Sequence, residues 1–132
     1  MNPYLKKFYR ESLTLLTDFY QITMAYGYWK AGLGNNEAVF HHFFRTLPFH
    51  GGFAIAAGLE TIVEFLENFR FSQNDVAYLA SLKATDGKQL FEDQFFDFLL
   101  SMRFTCDVDA VEEGRVIFPF EPLIRVKGPL IQ

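Results

Sequence analysis

The feature that most limits how this chain folds is a change in apolar period near Cys106. Before it, apolar residues recur at helical spacing. Phe19, Ile22, Tyr26 and Trp29 mark a helix from about Thr17 to Lys30, and Tyr20, Met24 and Gly27 mark its second stripe. Ile55, Leu59, Ile62, Val63, Leu66 and Phe69 mark another from about Phe53 to Phe69. Ser72 is placed to cap a short helix carrying Val76, Leu79 and Leu82. Phe95, Phe98, Leu99 and Met102 belong to a helix from about Phe91 to Met102. One strand, Ala38 to Thr46, interrupts this region. Its faces are Ala38, Phe40, His42, Phe44 and Val39, His41, Phe43, Arg45, and since both carry aromatics it is expected to be covered on both sides. After Cys106 the pattern shortens to Val108–Val111, Arg115–Phe118 and Leu123–Val126, punctuated by Glu113-Gly114, Pro119 and Pro122. The class is α+β, with a helical and strand region over about 12–104 and the start of a β-rich region over about 105–132.

Several breaks divide these elements. Gly32 and Gly34 end the first helix, Pro48 and Gly51-Gly52 follow the strand, and Asp86-Gly87 is a turn signal. Gly27 is costly inside a helix, by about 1 kcal/mol against alanine, so close approach of another backbone is expected there. Lys127–Gln132 reads as a strand passing through a Gly-Pro turn into a new apolar element, so the chain is expected to stop in mid-fold.

Composition narrows the function classes. A length of 132 residues suffices for one domain with a core. Seventeen phenylalanines suggest apolar surface meant for another chain or for a further part of the same protein. A net charge of −4 argues against non-specific nucleic-acid binding. No apolar run is long enough for a transmembrane helix, and Met1–Lys7 has no apolar stretch behind its charges, unlike a signal peptide. Cys106 is the single cysteine, which fits a cytoplasmic protein, and it reads as a small buried hydrophobe. His41 and His42 are adjacent in a strand and face opposite ways, so they cannot chelate one metal. A zinc site from His41 and His50 lacks a third ligand.

The start of the first helix carries more chemistry than a cap needs. Thr17 or Asp18 can cap it, and Gln21 lies three residues after Asp18, as in a capping box. Asp18 and Tyr20 together offer an acceptor and a flat stacking surface at the positive end of a helix, which suits a small anionic aromatic ligand. The competing reading is a capped helix whose rings are core.

Three segments in order resemble nicotinate phosphoribosyltransferase: Leu16–Trp29, Ala38–Phe49 continuing through Gly52–Glu60, and Glu113–Leu130. The resemblance covers nearly the whole chain, but only the N-terminal part of enzymes several times longer. It implies the N-terminal part of a type II phosphoribosyltransferase, a helix-and-sandwich domain preceding and packing on an irregular α/β barrel that this chain lacks. It also implies the ATP-coupled joining of nicotinate to phosphoribosyl pyrophosphate, giving nicotinate mononucleotide and pyrophosphate, with Mg²⁺ and ATP as cofactors. The family's phosphorylated histidine lies downstream, so no catalytic residue is expected here and His41, His42 and His50 do not match it. Tyr20 matches the aromatic that stacks on the pyridine ring, and Asp18 matches the acidic position beside it. Arg45 matches a basic residue that reaches phosphate groups in the related nicotinamide enzymes. Thr17 and Gln21 read as helix-end hydrogen bonders.

The resemblance further implies a homodimer, or a complementing chain, with this segment contributed across the interface. The segment alone is expected to be inactive. Two alternatives remain at this point: a nicotinamide phosphoribosyltransferase-like relative, and a non-catalytic interaction module that pairs through its aromatic surface.

Overall fold

The computed structural model describes residues 12–132; the Met1–Lys7 stretch lies outside them. The elements in order are α1 (Phe19–Lys30), β1 (Glu37–His42), β2 (Ala54–Ile55), α2 (Leu59–Glu67), α3 (Gln73–Ser81), α4 (Asp93–Ser101), β3 (Asp107–Ala110), β4 (Val116–Ile117) and β5 (Ile124–Pro129). This is the expected α+β class. The described strands form one three-stranded and one two-stranded sheet, and no closed barrel.

Helices build the core. Ile22 of α1, Phe71, Leu79 of α3, and Phe91, Phe95, Phe96, Leu99 and Met102 in and around α4 form one buried cluster. Tyr26 and Trp29 close over it, with Tyr26 lying 5.1 Å from the Phe95 ring and Trp29 lying 5.5 Å from it. The Ile22–Tyr26–Trp29 stripe is therefore the buried face, as its period predicts. Fully burying one such side chain contributes about 1.5–3 kcal/mol. α3 starts where Ser72 predicts. The Ser72 hydroxyl accepts from the Asp75 amide at 3.2 Å, and Asp75 accepts from the Ser72 amide at 2.7 Å, which completes a capping box.

The three-stranded sheet is antiparallel, in the order β1-β5-β3. Phe40 lies opposite Val126, which lies opposite Val108, on one face. His41, Arg125 and Asp109 share the other face, where Arg125 Nε donates to Asp109 at 2.8 Å. The pleat thus sorts the sheet into an apolar face and a charged one. Neither face of β1 is covered as expected: Val39, Phe40, His41 and His42 are all exposed, because β1 is an edge strand and, among the described residues, no helix is laid across it. β1 also ends at His42 rather than Thr46. Its partner segment contains Pro119 and Pro122, which have no amide to extend the ladder, and only single bonds continue it: Leu123 N to His42 O at 2.8 Å and Phe120 N to Phe44 O at 2.9 Å.

Two other boundaries differ from the sequence reading. The helix expected from Phe53 begins at Leu59, because Ala54 and Ile55 pair with Ile117 and Val116 and Gly58 then turns the chain at φ +102°. Gly128 and Pro129 do not make a turn; they continue β5, opposite Ala38 and Glu37. Gly128 is needed there for room, since a Cβ would come within 2.6 Å of the Cys106 sulfur and 2.9 Å of its Cα. Cys106 itself is half-buried rather than buried. Burial, and secondarily the Asp107 carboxylate, push its thiol pKa up.

Candidate functional site

The chain ahead of α1 is tied down before the helix begins. Thr14 is buried and its hydroxyl donates to the Arg70 carbonyl at 2.8 Å; Ser12 donates to the same oxygen at 3.1 Å. Leu16 N then bonds to Leu13 O at 2.9 Å, closing a turn that delivers Thr17 and Asp18 to the helix start. Asp18 is the N-cap by backbone conformation, but its carboxylate makes no cap hydrogen bond. The polar bond at this end runs instead from the Thr17 hydroxyl to the Gln21 side-chain oxygen. The capping box expected between Asp18 and Gln21 is therefore not made, and the Asp18 carboxylate stays exposed at the positive end of α1.

Tyr20 decides between the core and surface readings of this helix. Its residue is 57% exposed, whereas Ile22, two positions on, is buried. Phe19 takes an intermediate role: it meets Phe91 edge-on at 6.2 Å and remains half-exposed. Tyr20, Met24 and Gly27 make a second face of α1, and all three are exposed. A Cβ added at Gly27 would meet nothing within 4 Å, so the close backbone approach expected there is not made among the described residues. α1 thus has one stripe sunk in the core and another, headed by Asp18 and Tyr20, turned outward.

Arg45 lies elsewhere, just past the end of β1, in exposed chain. The bond from Phe120 N to Phe44 O fixes the backbone directly before it, and the Phe43 and Phe120 rings lie 5.8 Å apart beside that bond. Among the described residues no hydrogen bond or ion pair engages Arg45, so the surface ion pair that is the ordinary use of such a side chain is not made. No bond joins Arg45 to Asp18 or Tyr20. The described structure thus presents two outward-facing groups: a carboxylate with an aromatic ring, and a guanidinium.

Glu113 shows what the sequence reading missed. Its carboxylate accepts from the Gly58 amide at 2.8 Å and the Leu59 amide at 2.6 Å. Gly58 has no side chain with which to cap α2, so a residue far along the chain does so. In sequence, Glu113-Gly114 reads only as punctuation between strands. No three His, Cys, Asp or Glu side chains converge as a metal site among the described residues. No described helix is long and apolar enough to cross a membrane.

Comparison with known proteins bears on what these groups serve. Residues 15–132 match the family model for the nicotinate phosphoribosyltransferase N-terminal domain. The nicotinate phosphoribosyltransferase of Caenorhabditis elegans is 46% identical over 117 residues, covering 88% of this chain and 20% of that protein. The human enzyme is 46% identical over 118 residues, covering 89% and 21%. The Bacillus subtilis enzyme is 40% identical over 122 residues, covering 92% and 24%. The crystal structure of human nicotinic acid phosphoribosyltransferase superimposes with a TM-score of 0.74 at 45% identity, over 87% of this chain and 22% of that one. The chain spans between a fifth and a quarter of the length of the curated relatives it matches.

Proposed function

This chain belongs to the nicotinate phosphoribosyltransferase family, matching its N-terminal domain, and from that premise we propose that it supplies the base-stacking and phosphate-reaching edge of an enzyme of NAD biosynthesis. The reaction joins the ring nitrogen of nicotinate to the ribose of phosphoribosyl pyrophosphate and expels pyrophosphate, coupled to ATP. A cation-like ribosyl centre forms while the phosphates leave. The site must therefore hold a flat base in line and offer positive charge to the departing group.

One observation carries the reading. At the head of α1 an aromatic ring and a carboxylate face solvent together, and neither serves the core or the cap. Tyr20 offers its face to the pyridine ring. Asp18 would repel the nicotinate carboxylate, so it meets the ring-nitrogen side or a bound water. Arg45, which has no hydrogen-bond or ion-pair partner among the described residues, meets phosphate oxygens. The names of the relatives favour nicotinate over nicotinamide as the base.

Tyr20, Asp18 and Arg45 act across a subunit interface in this proposal, in a homodimer or with a complementing chain, and the protein is cytoplasmic. The region from about 105 opens a sandwich that packs beside the family's barrel. The described residues do not fit a metal, since no donor cluster converges among them. Mg²⁺ and ATP remain requirements of a complete enzyme, with no ligand assigned in this chain.

Tyr20→Ala in a complete family enzyme carrying this domain tests the reading. One stacked ring contributes about 0.5–1.5 kcal/mol beyond the area it buries, so a several-fold or larger loss in kcat/KM for nicotinate is expected, with little change in melting temperature. Unchanged kinetics with lowered stability would show that the ring serves only the fold.

A further inference from the structure

Between the bond at Phe44 and the pairing of Ala54 with Ile117, the chain is held at both ends and exposed through most of its length. Within it, Pro48–His50 form a turn closed by Gly51 N to Pro48 O at 3.2 Å. Phe49 and His50 both take left-handed backbone conformations, at φ 57° and 53°. Such conformations strain a residue with a Cβ and persist only where something else requires the residue; glycine would adopt them freely.

Phe120, also left-handed at φ 65°, shows what requirement looks like: its amide binds Phe44 O and its ring meets Phe43. Phe49 has no such partner. It is 98% exposed and makes no ring contact among the described residues. Nothing described in this chain requires a phenyl ring at that position. Arg45 stands four residues before it in sequence, and Gly51 and Gly52 follow.

We propose that the Pro48–Gly52 segment is a strap that carries Phe49 over the phosphate group bound at Arg45 and shuts water out of that contact. The proposal rests on the reading of Arg45 as a phosphate ligand. Excluding water strengthens the guanidinium–phosphate attraction and protects the ribosyl centre from hydrolysis. Phe49 is then a positioning residue: it acts through Arg45 and the closed geometry, and forms no bond to the reacting atoms.

The test uses a complete family enzyme carrying this domain. In Phe49→Trp, adding phosphoribosyl pyrophosphate should shift the emission of the new indole, measured against the unsubstituted enzyme, and nicotinate alone should not. Phe49→Gly fits the left-handed backbone and lacks the ring. It should raise KM for phosphoribosyl pyrophosphate on the order of tenfold and raise hydrolysis relative to transfer, while melting no lower. An indole that does not respond, or a Phe49→Gly enzyme with unaltered KM and hydrolysis, overturns the strap. Arg45→Ala separates this from the underlying reading. If it leaves KM for phosphoribosyl pyrophosphate unaltered, Arg45 is not the phosphate ligand and the strap falls with that reading; if it raises that KM while Phe49→Gly does not, the strap alone falls.

Discussion

Phe95 of α4 is fully buried, while Phe40 of β1 is 58% exposed, and the contrast extends to the regions around them. The helices close a core from within the chain, ring against ring. The β1-β5-β3 sheet has no fully buried residue in any of its strands, though one of its faces is apolar. α1, α3 and α4 share a closed core, whereas α2 and the sheet bury no residue fully. Such a division suits a domain whose helices set the shape and whose sheet and outward α1 stripe await other parts of an assembly.

The comparison can be broken at several points. Phe95→Ala should have the largest effect. It removes a ring that Tyr26, Trp29, Phe91 and Phe98 all touch, and a loss of about 3–5 kcal/mol in chemical denaturation is expected. If the loss is under about 1 kcal/mol, the helical region is not the closed core described. Gly128→Ala should come next, at about 1–3 kcal/mol, because its Cβ meets the backbone of Cys106 as well as its sulfur. A neutral result would show that β5 can withdraw from Cys106 without loss, which would make the sheet looser than its register implies.

Phe40→Ser should change the stability of residues 1–132 by no more than about 1 kcal/mol, since the ring is largely in solvent already. It should lower self-association, which light scattering would read. An unsubstituted chain that behaves as a monodisperse monomer would remove the association claim altogether. The smallest effect is expected at Lys30 and Glu92, which pair at 2.6 Å across the end of α1 and the start of α4. Each holds the other charged by a hydrogen bond, raising the Lys30 pKa and lowering that of Glu92. The Glu92 contribution is present above the ordinary carboxylate range and lost as pH falls through its lowered value. The Lys30 contribution is present below the ordinary lysine range and lost as pH rises through its raised value. Glu92→Gln should therefore reduce stability slightly at neutral pH and flatten the acid limb of a melting-temperature profile; an unchanged acid limb would show that the pair contributes nothing.

What could be read from the sequence followed from local causes. The Ile22–Tyr26–Trp29 stripe and the Ser72 cap depend on residues within a turn or two, so period and spacing suffice. Where distant partners decide, the sequence misleads. The helical period from Phe53 is real, but Ala54 and Ile55 are claimed by β4, and Glu113 sets the helix start. Gly128-Pro129 looks like a turn because its strand partner, Glu37–Ala38, lies far away in sequence. The two phenylalanine-bearing faces of the Ala38–Thr46 stretch look like core because alternation reports what a strand carries, not what covers it. At the site, residue types pointed to Asp18 and Tyr20, but not to the escape of Asp18 from capping, which depends on Thr17 reaching Gln21. Nothing local marked Phe49 as left-handed.

The Glu113 carboxylate also sets an order of events during synthesis. It lies 54 residues beyond the Leu59 amide that it holds. At about 5–20 residues per second, translation leaves a gap of roughly 3–11 s between the emergence of the first turn of α2 and that of its cap. Helix propagation itself takes well under a microsecond per residue. On the ribosome α2 therefore has time to form and fray many times before Glu113 arrives. The mature start of that helix is fixed late, by a residue belonging to the β-rich end of the chain.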